Sequence, residues 1–222
     1  MGIYAEALIL YAVLFLPGSI IGLTGSVDLP ASADFIRVFM FYIPSTALIW
    51  HLLFRGKQAR DWGIKPGKKD LFSGLIAFPC LLIIGFIIVY ASSFFGAADG
   101  RFKLHTPSTA REWAIICFSC ICTGYLEESF FRFYLLSRFN GGGILLSKRE
   151  KLKLSAPAVT AVSAALFSIC HIYEGPWGMA NAALSGVLLS LVFLRYRSLH
   201  GIALAHGLYN IAAYAAAAIT SS

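Results

Sequence analysis

Long apolar runs broken by short polar stretches dominate this chain. Seven runs stand out, near residues 3–23, 35–54, 71–95, 113–139, 157–173, 179–194 and 199–219. Each approaches the roughly 20 residues that a helix needs to cross a hydrocarbon layer about 30 Å thick. The pattern predicts an all-α polytopic transmembrane bundle of about seven spans, with the whole chain, 1–222, as one integral membrane domain. The first run has no basic region ahead of it and has the length of a span, so it is expected as a retained helix, not a cleaved signal. Composition agrees: 58% of the residues are hydrophobic and 13% charged, against roughly 25% charged in a soluble domain.

The net charge of +7 changes the picture through its placement. Arg55, Lys57, Arg60, Lys65, Lys68 and Lys69 follow the second run. Arg138, Lys148, Arg149, Lys151 and Lys153 follow the fourth, and Arg195 and Arg197 the sixth. Only Arg37, Arg101, Lys103 and Arg111 fall on the other side, and Arg132 lies within the fourth run. Such alternation orients membrane helices and leaves no face for nucleic acid. It predicts a multi-pass protein of the cytoplasmic membrane with its N-terminus in the cytoplasm and, for seven spans, its C-terminus outside. The connector 140–156, opening with Asn140-Gly141-Gly142-Gly143, is expected as a flexible gate on the basic side, with the site opening toward that side. Cys80, Cys117, Cys120, Cys122 and Cys170 all lie in predicted spans, where thiols act as small buried hydrophobes.

Charge inside a span is costly, by roughly 2.5–3.5 kcal/mol for an Asp, Lys or Arg at a helix centre, so it marks function. The fourth run contains Glu127-Glu128-Ser129-Phe130-Phe131-Arg132. Residues four apart share a helical face, so Glu128 and Arg132 can pair while Glu127, turned by about 100°, points elsewhere. Phe167 and His171 share a face of the fifth run, and His206 and Asn210 a face of the seventh. A rise of about 1.5 Å per residue allows these groups a common layer, with His206 the shallowest. His51 and His200 near span ends, His105 in a loop, and Glu174 after the fifth run are expected to be solvated or interfacial. Asn181 is expected to bond across helices, with a role as an extra polar liner of the cavity as the alternative.

One Glu, two His and one Asn in a membrane cavity suit hydrolysis by activated water, the Glu removing a proton and the others binding the developing oxyanion. The same donors could hold zinc, although no His-Glu-x-x-His pairing occurs in the chain. The residues by themselves leave metal-free and zinc chemistry open. They also leave open a non-catalytic immunity or peptide-binding protein using the same cavity, or a proton carrier.

The motifs Glu127-Glu128-x-x-x-Arg132, Phe167-x-x-x-His171 and His206-x-x-x-Asn210, in this order on separate runs, resemble those of the CAAX protease and bacteriocin-processing family of intramembrane glutamic endopeptidases. Asp61-Trp62-Gly63-Ile64 is similar to a loop frequent in prokaryotic members, and the motif-bearing core covers about 113–219. The resemblance implies an intramembrane protease in which Glu127 activates water while His171, His206 and Asn210 position it or stabilise the tetrahedral intermediate, supported by Glu128, Arg132 and Phe167. No cofactor is required by the mechanism so implied. Membrane lipid and a hydrophobic or prenylated peptide or protein are the partners it implies. The prenyl-protein enzymes of the family are described with eight spans, one more than this sequence predicts.

Overall fold

The computed structural model describes residues 3–23, 31–54, 63–95, 106–140 and 154–221. These are helical throughout, with short connecting turns and no strand among the described residues. Helices α1 (Ile3–Leu14) and α2 (Leu16–Leu23) form the first rod, and α3 (Ala31–Arg37) continues through a π-helical turn, Val38–Tyr42, into α4 (Ile43–Phe54). Helix α5 (Lys68–Phe95) is the longest. Helix α6 (Ala110–Glu128) passes through a second π-helical turn, Ser129–Tyr134, into α7 (Leu135–Asn140), and α8 (Ala156–Cys170), α9 (Gly175–Tyr196) and α10 (Leu199–Ser221) follow.

The seven rods match the seven apolar runs, but six of them, not seven, are long and apolar enough to cross a membrane. The exception is α8, whose 15 residues span only about 22 Å. Its predicted run, 157–173, ends early because the backbone leaves the helix at His171 and makes a short 3-10 turn, Ile172–Glu174, before α9. Large apolar side chains such as Phe86 and Val89 on α5 remain 72% and 68% exposed. In a membrane protein that surface meets lipid, where it costs nothing.

Local chemistry sets the helix ends. Thr109 and Glu112 form a reciprocal capping box at the start of α6, each side chain accepting from the other residue's backbone N–H at 3.2 Å. Ser155 caps α8 by accepting from the N–H of Ala158 at 3.4 Å. Arg197, in the left-handed region with φ 50°, stops α9. Gly63 closes against that turn. Its φ is +119°, and a Cβ there would lie 2.6 Å from the carbonyl oxygen of Arg197. Asp61 and Trp62 of the same motif lie outside the described residues.

Helix α10 packs against α5 and α6, and α8 against α9. The α6–α10 contact is close because glycines face it: a Cβ on Gly124 would lie 2.7 Å from the carbonyl oxygen of Ala203, and one on Gly207 would lie 2.9 Å from the Cα of Ile121. Small residues let helices approach this closely in a bilayer. Gly124→Val is therefore expected to cost about 1–3 kcal/mol by overpacking, read as a lowered Tm in detergent. Gly18→Ala, with nothing within 4 Å of the new Cβ, should not lower it.

Candidate active site

Helix α6 brings Glu127 and Glu128 to the start of the π-helical turn, where Phe130, Phe131, Arg132, Phe133 and Tyr134 are all 0% exposed. A helix covered all round needs apolar side chains in every direction, and this aromatic run supplies them. Arg132 breaks that run. Its Nη1 donates to Glu128 Oε1 at 3.0 Å, both side chains being fully buried. The guanidinium also lies over the Phe167 ring, 4.4 Å from its centroid, a geometry that attracts a cation to the ring face. Gly186 lets α9 come close: a Cβ there would sit 3.4 Å from Arg132 Nη2 and 3.1 Å from the Cα of Ala164.

Helix α10 adds His206, 78 residues further along the chain. Its Nδ1 is 2.8 Å from Glu128 Oε1, and its Nε2 is 3.5 Å from Glu127 Oε2. One imidazole thus bridges the two carboxylates. Since Glu128 and Arg132 cancel, one proton held between Glu127 and His206 leaves the whole cluster neutral, whichever of the two carries it. Neutrality matters, because an uncompensated charge at this depth is expensive.

His171, taken in sequence as lying deep in a span, is instead the residue that ends α8. The carbonyl of Phe167 can only accept, so the 2.8 Å contact from His171 Nδ1 places the neutral ring's proton on Nδ1. Nε2 is left as the nitrogen available to a ligand. Phe167 is the packing centre of the group, its ring centroid 4.6 Å from that of His171 and 5.8 Å from that of His206.

Glu127, His171, His206 and Asn210 all line a single cavity of about 450 Å³. The structure therefore brings together every candidate from the three motifs, with Glu128 and Arg132 buried behind them. From Glu127 the lining climbs α6 through Thr123, Ser119 and Ile116, back toward Ala110. It reaches Asp34 and Arg37 on α3, which pair at 3.0 Å, and Glu174 in the turn before α9. The expectation that the site opens on the side of the basic connector does not hold among the described residues. The π-helical aromatics seal that end, and the cavity extends the other way. Residues 141–153 of the proposed gate lie outside the described residues.

Asn181, expected to bond across helices or to add a polar lining, does both, and Glu174, expected to be solvated, also lines this cavity. Asn181 accepts from the Tyr209 hydroxyl at 3.1 Å, and Glu174 lies in the wall. Their sequence signal was weak because a lone amide or a loop carboxylate has many ordinary roles. His200 serves elsewhere, its Nε2 2.8 Å from the carbonyl of Ile64 and its Nδ1 3.1 Å from the Tyr125 hydroxyl, tying the 63–67 turn to the bundle. His51 is exposed, and His105 lies outside the described residues.

Zinc would need three converging donors with an open fourth position. Among the described residues no three His, Cys, Asp or Glu side chains are so grouped, and both nitrogens of His206 already face carboxylates. The arrangement does not fit the metal.

Fold and cluster together define a polytopic helical membrane protein with a carboxylate–imidazole site inside its bundle. Residues 109–212 match the family model described as type II CAAX prenyl endopeptidase Rce1-like, a family of proteases, so this part of the chain is similar to the family its motifs resemble. Comparison with curated proteins and with solved structures gives no match.

Proposed function

We propose that the protein is an intramembrane peptide hydrolase of a prokaryotic cytoplasmic membrane, cleaving a hydrophobic or lipid-modified peptide with Glu127-activated water and no metal. The observation that supports this reading most is the division of labour between adjacent carboxylates. Glu128 is buried and neutralised by Arg132 at 3.0 Å, whereas Glu127 lines the cavity and shares His206 with it. Environments that separate two carboxylates in this way are how one becomes a base and the other a support.

In the proposed reaction a water molecule gives one hydrogen bond to Glu127 and another to His171 Nε2. Glu127 takes the first proton as the water oxygen attacks the scissile carbonyl carbon. The Asn210 amide donates to the oxyanion that forms. Collapse of the tetrahedral intermediate breaks the C–N bond, and the proton held by Glu127 passes to the leaving amine. His206 does not contact substrate in this scheme. Anchored by Glu128 at Nδ1, it holds Glu127 in register through Nε2, with Phe167 packed behind.

The test is cleavage of a panel of hydrophobic and prenylated peptides by purified protein in detergent. We expect cleavage unchanged by a chelator, since the donors present do not fit zinc. Asn210→Ala should lower kcat by about 10²–10³, the usual loss for one oxyanion donor. Loss of activity on chelation would overturn the metal-free mechanism, and no cleavage of any peptide by folded protein would favour a peptide-binding role.

A further inference from the structure

We infer that the cavity is reached from the extracytoplasmic side of the membrane, so that its substrate is a peptide presented at the outer leaflet and not a segment of a cytoplasmic protein. The inference rests on the proposed hydrolysis only for the word substrate; the side of access stands on geometry and charge.

Three observations carry it. First, the cavity has one closed end. Below Glu127 the side chains of Phe130, Phe131, Phe133 and Tyr134 are 0% exposed, while every lining residue on α6 lies on the Ala110 side of Glu128. On α10 the lining likewise runs from His206 through Asn210 to Tyr214, away from the Leu199 end.

Second, charge separates the two ends of the bundle. The closed end is where α4, α7 and α9 finish and α5, α8 and α10 begin. The backbone joins these termini directly, through Leu154 N–H to the carbonyl of Phe139 at 3.1 Å and Leu199 N–H to that of Gly63 at 3.0 Å. The ends of these helices and the sequence that joins them hold thirteen of the eighteen Lys and Arg residues. The opposite helix ends and the sequence that joins them hold four, against five acidic residues, Asp28, Asp34, Asp99, Glu112 and Glu174. Cationic loops shorter than about 60 residues remain in the cytoplasm, which puts the closed end there.

Third, α8 is short. Its 15 residues start at the basic end and reach about 22 Å, so the His171 turn stops below the opposite surface of a core about 30 Å thick. Glu127, 12 residues before Phe139, lies about 18 Å from the basic end. The proposed base is thus near mid-depth, with the cavity extending above it on the acidic side.

The experiment is thiol accessibility in the full chain, with its five native cysteines replaced by alanine and its Tm checked against wild type. Single reporters are Ser119→Cys and Ala213→Cys, which line the cavity, and Lys69→Cys, exposed at the basic end. A membrane-impermeant maleimide is applied to spheroplasts and to inverted vesicles. We expect both cavity reporters to label in spheroplasts and Lys69→Cys only in inverted vesicles. Cavity reporters that label only in inverted vesicles overturn the inference. If Lys69→Cys then labels in spheroplasts, the charge-based orientation has failed; if it shares the cavity reporters' side, the direction of the cavity has failed. None of these readings needs cleavage, so failure of the hydrolase reading is detected separately.

Discussion

Glu127→Gln is expected to reduce kcat by about 10²–10⁴, the usual contribution of a positioned general base, while the bundle stays folded. The amide has the shape of the carboxylate and can still donate to His206 Nε2, 3.5 Å from the present Oε2. It cannot accept a proton from water at neutral pH. Substitution also leaves the buried Glu128–Arg132 pair untouched, so Tm should stay near the wild-type value. Single-turnover cleavage together with thermal unfolding in detergent separates the two effects. A stable variant that cleaves at the wild-type rate would remove Glu127 from the mechanism.

Arg132→Met should do the opposite and unfold the site. Glu128 is 0% exposed, so removing its cation strands a charge in a medium that cannot solvate it, at a cost of about 3–5 kcal/mol. Methionine keeps much of the volume against Phe167, so cavity formation is not the main loss. The double variant Glu128→Gln/Arg132→Met has no stranded charge and should recover much of the Tm. Recovery identifies the pair as mutually compensating, whereas additive losses from the two changes would show that the charges are uncoupled. Activity should remain low in the double variant, because the carboxylate that holds His206 Nδ1 at 2.8 Å is gone.

The bundle was legible in the sequence because insertion into a bilayer depends on local hydropathy and length, and both are properties of contiguous residues. The Glu128–Arg132 pair was legible for the same reason: helical periodicity places residues four apart on one face, and the π-helical turn beginning at Ser129 did not separate them. The fifth rod is shorter than its apolar run. Its apolarity continues past Cys170, but Gly175 and Pro176 start a new helix, and hydropathy alone does not register that break. Glu174 carries no mark of its role, because a single polar residue has no periodic partner, and for the same reason Asn181 is no more than a candidate liner in the sequence.

By itself the sequence determined an all-helical membrane chain, the faces of its polar motifs and the uneven charge of its loops, since each follows from neighbouring residues. Only the tertiary structure decided that His206 bridges Glu127 and Glu128 from 78 residues away, that Phe167 packs against Arg132, His171 and His206, and that the cavity closes at the basic end. Those outcomes depend on how glycines at 124, 186 and 207 let helices approach and on where the aromatic volume of residues 130–134 falls. Both are set by packing between distant segments.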